Sequence, residues 1–298
     1  MNMHHFQSHV RSATTVGLFL MLASAFNFAV LDILVKLLDP SFRVWEIAFY
    51  RFLCSLLILT TVFGWRHNPF KGHNPKLMVL NGIISSIGFV ALVTAIRLIN
   101  ISTAMGLFYS FPAFAALFST LIFRESVRKE ELFYVLIALC GVMILFEFRL
   151  GGSLIGQVMG LLAGISIGLS VAIVRKLREK EGSVVIYLYY CLVGSVVTFP
   201  PFIANPQIPR VVEEWLIFAG IIFSSIFAML LMNKGFRYCK SWEGGLILTN
   251  ELIFTAIFGI VFLKELLTCR FLIGGLLILG SVVALNLSNI RKPSRLTG

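Results

Sequence analysis

The chain has 298 residues, 58% of them hydrophobic and 13% charged, where a soluble domain carries roughly 45–50% apolar and about 25% charged residues. That balance excludes a soluble globular fold and predicts an all-α polytopic membrane protein embedded in the lipid bilayer. The formal charge of +11 would suggest nucleic acid for a soluble protein, but here the cations fall in short links and no basic stripe interleaves with aromatics, so nucleic acid is excluded as a partner.

A membrane span needs about 20 mostly apolar residues. Ten runs qualify along the chain: 16–38, 44–64, 77–98, 103–123, 132–148, 156–177, 184–203, 215–233, 244–263 and 271–288. The tail before the first run holds His4, His5, His9 and Arg11, and no small-residue cleavage pattern closes that run, so no signal peptide is expected. The links carry breakers: Asp39-Pro40, Asn68-Pro69, Asn74-Pro75, Gly151-Gly152 and the prolines at 200, 201, 206 and 209. Trp45, Trp65, Trp215 and Trp242 fall near run ends, as interfacial tryptophans do. Cys54, Cys140, Cys191, Cys239 and Cys269 are odd in number and dispersed. They read as small buried hydrophobes rather than disulfides or metal ligands.

Laid without gaps over residues 237–285, residues 97–145 place Arg97 on Arg237 and Glu125 on Glu265. Each copy has a basic residue, a short polar link, an apolar helix, a cation–Glu step and a second apolar helix. A repeat of this length is half a protein, and duplicated halves in a membrane suggest a transporter with its site where they meet. With the N-terminus in the cytoplasm, 17 of the 25 Lys and Arg residues fall on the inner side, which predicts that both termini are cytoplasmic. Ten spans split five and five, so the second half enters upside down. The expectation is two inverted repeats, 1–150 and 151–298, in the cytoplasmic membrane.

Four stretches carry a resemblance to a known family. Residues 25–36 run Ala-Phe-Asn-Phe-Ala-Val-Leu-Asp-Ile-Leu-Val-Lys; residues 46–52 run Glu-Ile-Ala-Phe-Tyr-Arg-Phe; the others are 111–125, opening Phe-Pro, and 251–265, opening with Glu251. In this order, with the duplication, they resemble the EamA-type family of the drug/metabolite transporter superfamily. The sequence departs from it at Leu252, where the family often has proline. The resemblance implies a ten-span secondary transporter for amino acids or related amphipathic solutes, most often exporters, with the pathway lined by spans one, three, four, six, eight and nine. Uptake of a nucleoside- or cofactor-like solute such as S-adenosylmethionine is the alternative within transport. A membrane-embedded lipid-phosphate enzyme is the alternative outside it.

The chemistry-bearing residues are few. No phosphate-binding Gly-rich loop and no paired Cys/His spacing are present, so neither ATP hydrolysis nor a metal is expected, no cofactor is implied, and no residue is assigned catalysis. No histidine falls in a span, which excludes a histidine proton relay. Glu251 lies about seven residues into the ninth run, where an ionisable group is costly and marks a functional site or a structural pair. It would bind a cationic group or carry a proton; as a structural pair, its first partners would be Arg51 or Lys234. Asn27, Ser85, Ser86, Tyr109, Ser166, Ser170, Ser224 and Asn250 are the uncharged candidates for a substrate-binding cavity, and for the serines tight helix packing is the competing explanation. Asn27, Tyr109 and Glu251 are expected to share a central space. Arg51, Glu46, Asp32 and Lys36 are read as structural or gating charges: Asp32 and Lys36 stack at i,i+4 as a local ion pair, whereas Glu46 and Arg51 do not stack. Glu125 and Glu265 read as caps of the connection to the helix that follows each, structural markers of the fold. The glycines at 156, 160, 164 and 168 form a ridge for close helix approach rather than a nucleotide loop.

Overall fold

A computed structural model describes residues 3–64, 72–123, 152–177, 180–235, 250–266 and 268–291, with Leu248 and isolated positions between 133 and 144. Among these the fold is all helical: α1 (Met3–Leu37), α2 (Val44–Gly64), α3 (Pro75–Leu98), α4 (Ile101–Phe108), α5 (Phe111–Phe123), α6 (Gly152–Leu177), α7 (Ser183–Ile203), α8 (Val212–Gly235), α9 (Asn250–Leu263) and α10 (Cys269–Arg291). Six of them, α1 to α3 and α6 to α8, are long and apolar enough to cross a membrane. Phe19, Val62, Val196, Leu216 and Leu276 are exposed on this bundle, as a lipid-facing surface requires. Cys140 and Cys269 are exposed too, so they are not the buried hydrophobes the sequence suggested. Of the expected fifth run, 132–148, isolated positions alone are described, and residues 244–247 and 249 of the ninth fall outside the described set.

One expected span differs from its prediction. Residues 103–123 do not form a continuous helix but break between α4 and α5 at Tyr109 and Ser110. Pro112 has no N–H with which to continue the ladder, and it sits in the first turn of a new helix, where that loss is tolerated. Ser110 bridges the break. Its hydroxyl donates to the Leu107 carbonyl at 2.6 Å, and its own carbonyl accepts from the Ala113 N–H at 3.0 Å. In the repeat register, Phe111 at the start of α5 corresponds to Glu251, one residue from the start of α9.

The closest packing joins helices from opposite halves. The strongest pairs are α3 with α6, α1 with α8 and α2 with α7, followed by α5 with α6, α3 with α7 and α1 with α9. If α1 matches α6 and α3 matches α8, the first two pairs are counterparts of each other. Lipid is as apolar as leucine, so these contacts rest on close fit and interhelical hydrogen bonds rather than on escape from water. The glycine ridge of α6 provides the fit. A Cβ added at Gly164 would stand 3.0 Å from the Phe108 carbonyl, and one at Gly168 2.9 Å from both the Phe111 carbonyl and the Ala115 nitrogen. Backbone cannot swing aside, so Gly168→Ala is expected to cost about 1–3 kcal/mol, the usual penalty of overpacking. Gly280→Ala is the control, because nothing lies within 4 Å of its added Cβ. Thermal unfolding in detergent should separate the two; equal midpoints would remove the ridge from the account.

Candidate functional site

The helix break puts Tyr109 against α9. Its hydroxyl oxygen lies 2.8 Å from Glu251 Oε2 and 2.8 Å from the Leu248 carbonyl, and both side chains are buried. Asp32, from α1, completes the group, its carboxyl lying within hydrogen-bond reach of Glu251. Among the described residues no N–H or O–H donor reaches Asp32 Oδ2. Carboxylates only accept, so the Asp32–Glu251 contact is a hydrogen bond only when one of the two carries a proton. The Tyr109 hydroxyl suits both forms. With Glu251 ionised it donates to that carboxylate; with Glu251 protonated it donates to the Leu248 carbonyl and accepts from Glu251.

Two expectations change here. Asp32 and Lys36 form no ion pair: Lys36 donates instead to the carbonyls of Ile96 and Ile99 at 2.6 and 2.7 Å, because the end of α3 presents carbonyls with no partner in their own helix. Glu251 is not paired with Arg51 or Lys234 either. Lys234 is exposed at the end of α8, and Tyr109 and Asp32 take the place of a cation.

Arg51 is buried nearby on α2, close enough to act electrostatically on Asp32. Its Nε donates to Ser225 Oγ at 2.7 Å and its Nη1 to the Tyr190 hydroxyl at 3.2 Å. Its guanidinium sits 3.9 Å from the Phe89 ring centroid, a contact worth about 2 kcal/mol when desolvated. Glu46, by contrast, belongs to the helix ends. It pairs with Arg43 at 2.5 Å, and Arg43 also donates to the carbonyls of Pro201 and Asn205. That arrangement ties the start of α2 to the end of α7.

The uncharged candidates separate by what they bond. Ser85 and Ser170 lie 2.7 Å apart, and Ser170 donates to Asn81 at 2.9 Å, a polar clasp between α3 and α6. Ser86 donates to Gly82 of its own helix, and Asn27 to Ala23 of its own, so Asn27 makes no bond to Tyr109 or Glu251. Ser166 and Ser224 are buried, and Asn250 opens α9 beside Glu251. The sequence reading missed Asn81, Tyr187 and Tyr190 as partners. Their common signal was a polar group inside an apolar run.

A second set of charges ties the helix ends together. Arg97 donates to the carbonyls of Val35, Leu38, Asp39 and Phe42 at 2.5 to 3.3 Å, satisfying the end of α1 as Lys36 satisfies the end of α3. Hydrogen bonds from Ser41 hold the exposed Asp39 carboxyl below its ordinary range beside Arg97. Glu265 reaches across the halves: its carboxylate accepts from the Ile101 N–H at 2.8 Å and the Ser102 hydroxyl at 3.1 Å. It therefore caps α4, whose own N-cap residue Asn100 makes no side-chain cap, not the helix that follows it. Loss of such a cap costs about 0.5–2 kcal/mol. Glu265→Ala should accordingly lower the unfolding midpoint and speed amide exchange at Ile101 and Ser102; unchanged exchange there would refute the cap. An open cavity of about 690 Å³ lies among these ends, lined by Lys36, Phe42, Arg43, Trp45, Val90 and Arg97 among others. Its lining does not include the Asp32–Tyr109–Glu251 group.

The fold and its buried charges define a polytopic membrane protein with an ionisable cluster between its two halves. Residues 15–147 and 154–287 match the EamA-like transporter family, and the chain belongs to that family, within the drug/metabolite transporter superfamily. It is similar to the pseudopaline exporter CntI of Pseudomonas aeruginosa, at 24% identity over 91% of this chain and 95% of the relative. Human solute carrier family 35 member G1 is 24% identical over 90% and 78% of the two chains. The S-adenosylmethionine uptake transporter of Rickettsia bellii is 22% identical over 74% and 76%. A solved crystal structure shares the fold with a TM-score of 0.65, covering 95% of this chain and 99% of its own at 18% identity. The family and these relatives are transporters, which goes against the lipid-phosphate enzyme reading.

Proposed function

We propose that the chain is a secondary transporter that moves a small organic metabolite bearing an amino group, an amino acid or a related amphipathic solute, out across the cytoplasmic membrane. The two repeats, 1–150 and 151–298, would rock against each other as inverted five-span halves with both termini in the cytoplasm. The observation that carries this reading is the buried Asp32–Glu251 carboxyl pair, which joins α1 of one half to α9 of the other. A carboxyl pair offers a cationic group a counter-charge that lipid cannot, and it can take up a proton when that group leaves. The exchange of counterpart helix pairs across the halves supports the inverted arrangement, and the exporter among the relatives supports the direction. Uptake of a cofactor-like cation such as S-adenosylmethionine is the second reading, favoured by the Rickettsia relative and by the fit of a sulfonium to two carboxyls.

Right-side-out and inside-out vesicles carrying the protein distinguish these directions. Export predicts that amine-bearing metabolites accumulate in inside-out vesicles under a proton gradient without nucleotide. Accumulation confined to right-side-out vesicles would establish uptake, and none in either orientation would overturn the transporter mechanism proposed for this site.

A further inference from the structure

The short helix α4 is fastened to α9 at both of its ends. At its start, the Glu265 carboxylate accepts from the Ile101 N–H at 2.8 Å and the Ser102 hydroxyl at 3.1 Å. At its end, Tyr109 meets Glu251 and the Leu248 carbonyl, each at 2.8 Å. The two helices run antiparallel. Gly259, near the end of α9, stands against Ile101 and Ser102, while Glu251, near its start, meets Tyr109. Residues 101 to 109 of one helix and 251 to 259 of the other therefore separate the two contacts, by about 12 Å at 1.5 Å per residue.

Glu265 is carried on the end of α9. After Leu263 the chain doubles back: Lys264 takes a left-handed backbone, φ 54°, and the Glu265 N–H donates to the Gly259 carbonyl at 3.0 Å. Gly259 makes room for the carboxylate, since an added Cβ would stand 3.0 Å from Glu265 Oε2 and 3.1 Å from Ile101 Cγ2. Between the two contacts α9 buries Thr255, Ala256 and Gly259, and the Thr255 hydroxyl donates within its own helix, to the Glu251 carbonyl at 2.7 Å. Such small residues let helices approach closely, and they form a smooth seam that parts and closes without side chains repacking. Both end contacts are reversible. Water replaces Glu265 at the Ile101 N–H once they separate, and a cationic group replaces the Tyr109 hydroxyl at Glu251.

We propose that the seam between α4 and α9 is the gate of the carboxyl site and opens as one unit, with the Tyr109–Glu251 and Glu265–Ile101 contacts as its two latches. A cationic group that takes Glu251 from Tyr109 releases the first latch. The second then lets go, and a path opens from the site towards the link between α9 and α10. Glu265 is a positioning residue in this scheme: it holds α4 where Tyr109 reaches Glu251 and does not touch substrate. The inference rests on the transporter reading for the cation, but its test needs no substrate.

Amide exchange in the purified full-length protein in lipid nanodiscs provides that test. Tyr109→Phe deletes a hydroxyl at the far end of α4 from Ile101, yet it should speed exchange at Ile101 and Ser102 by roughly three- to tenfold, as the net value of one hydrogen bond allows. Tyr50→Phe is the control. It removes a bond of the same kind, from the Tyr50 hydroxyl to the Gln207 carbonyl at 3.2 Å, away from the seam, and should leave those amides unchanged. The second readout is the unfolding midpoint of Tyr109→Phe, Glu265→Ala and the double variant. Sites about 12 Å apart with no shared partner add their losses. A seam that opens as one unit instead loses little more in the double variant than in the worse single one. Unchanged exchange in Tyr109→Phe, equal acceleration in both tyrosine variants, or additive midpoints would each overturn the proposal. Should Tyr109→Phe fail to accumulate, Glu251→Ala removes the same contact and takes its place. Neither readout depends on whether vesicles of either orientation accumulate solute.

Discussion

Glu251→Gln is expected to reach the membrane in wild-type amounts and to lose pH-driven transport by about tenfold or more, the equivalent of ~1.4 kcal/mol. The geometry permits that separation. A glutamine at 251 still accepts from Tyr109, and its amide N–H can donate to Asp32, so the buried contacts survive. What it cannot do is exchange a proton for a cation. Asp32→Asn should behave alike, and the double variant should lose little more than either alone, because two residues acting as one unit do not add. Transport with an unchanged rate and pH profile in Glu251→Gln would show that the pair is not the coupling site. Failure of the variant to accumulate would show that the pair is structural.

Arg97→Leu is expected to cause the largest loss of stability. Four carbonyls at the end of α1 and in the link to α2 receive its hydrogen bonds. Removing the donor leaves the half-buried ones without partners, at about 1–3 kcal/mol for each that water cannot reach. Because some of them border solvent, the net expectation is roughly 2–4 kcal/mol, near the upper end of what single substitutions do. Yield in the membrane and the unfolding midpoint in detergent should both fall. Arg97→Lys should recover part of the loss, since a lysine keeps the charge but not the fork of donors. A midpoint equal to wild type would mean that water already serves these carbonyls.

Much of this was legible in the sequence, and the failures share one cause. Apolar runs, breakers and the repeat register depend on neighbours in the chain, so the helices and the glycine ridge could be read directly. Glu251 and Tyr109 stood out because each is polar deep within an apolar run. Their direct contact spans 142 residues, and no local pattern shows it. Asp32 was misread for the same reason: its spacing from Lys36 is ideal for a pair, but Lys36 finds carbonyls 60 and 63 residues away and Asp32 faces α9. Glu265 looked like a cap for its own neighbourhood and caps α4 from the other half. The break at Tyr109 was half visible in Phe111-Pro112, but its use, aiming a hydroxyl at Glu251, depends on where α9 packs.

In the function proposed above, the buried carboxyl pair exchanges a proton for an organic cation across the bilayer. Proteoliposomes loaded with a pH-sensitive dye, free of nucleotide and holding the wild-type protein, test it most directly against a panel of organic cations and amino acids. At least one cation should move protons in the opposite direction, and that movement should be absent from Glu251→Gln vesicles. Solute flux without proton movement, or proton movement that persists in Glu251→Gln vesicles, would contradict it.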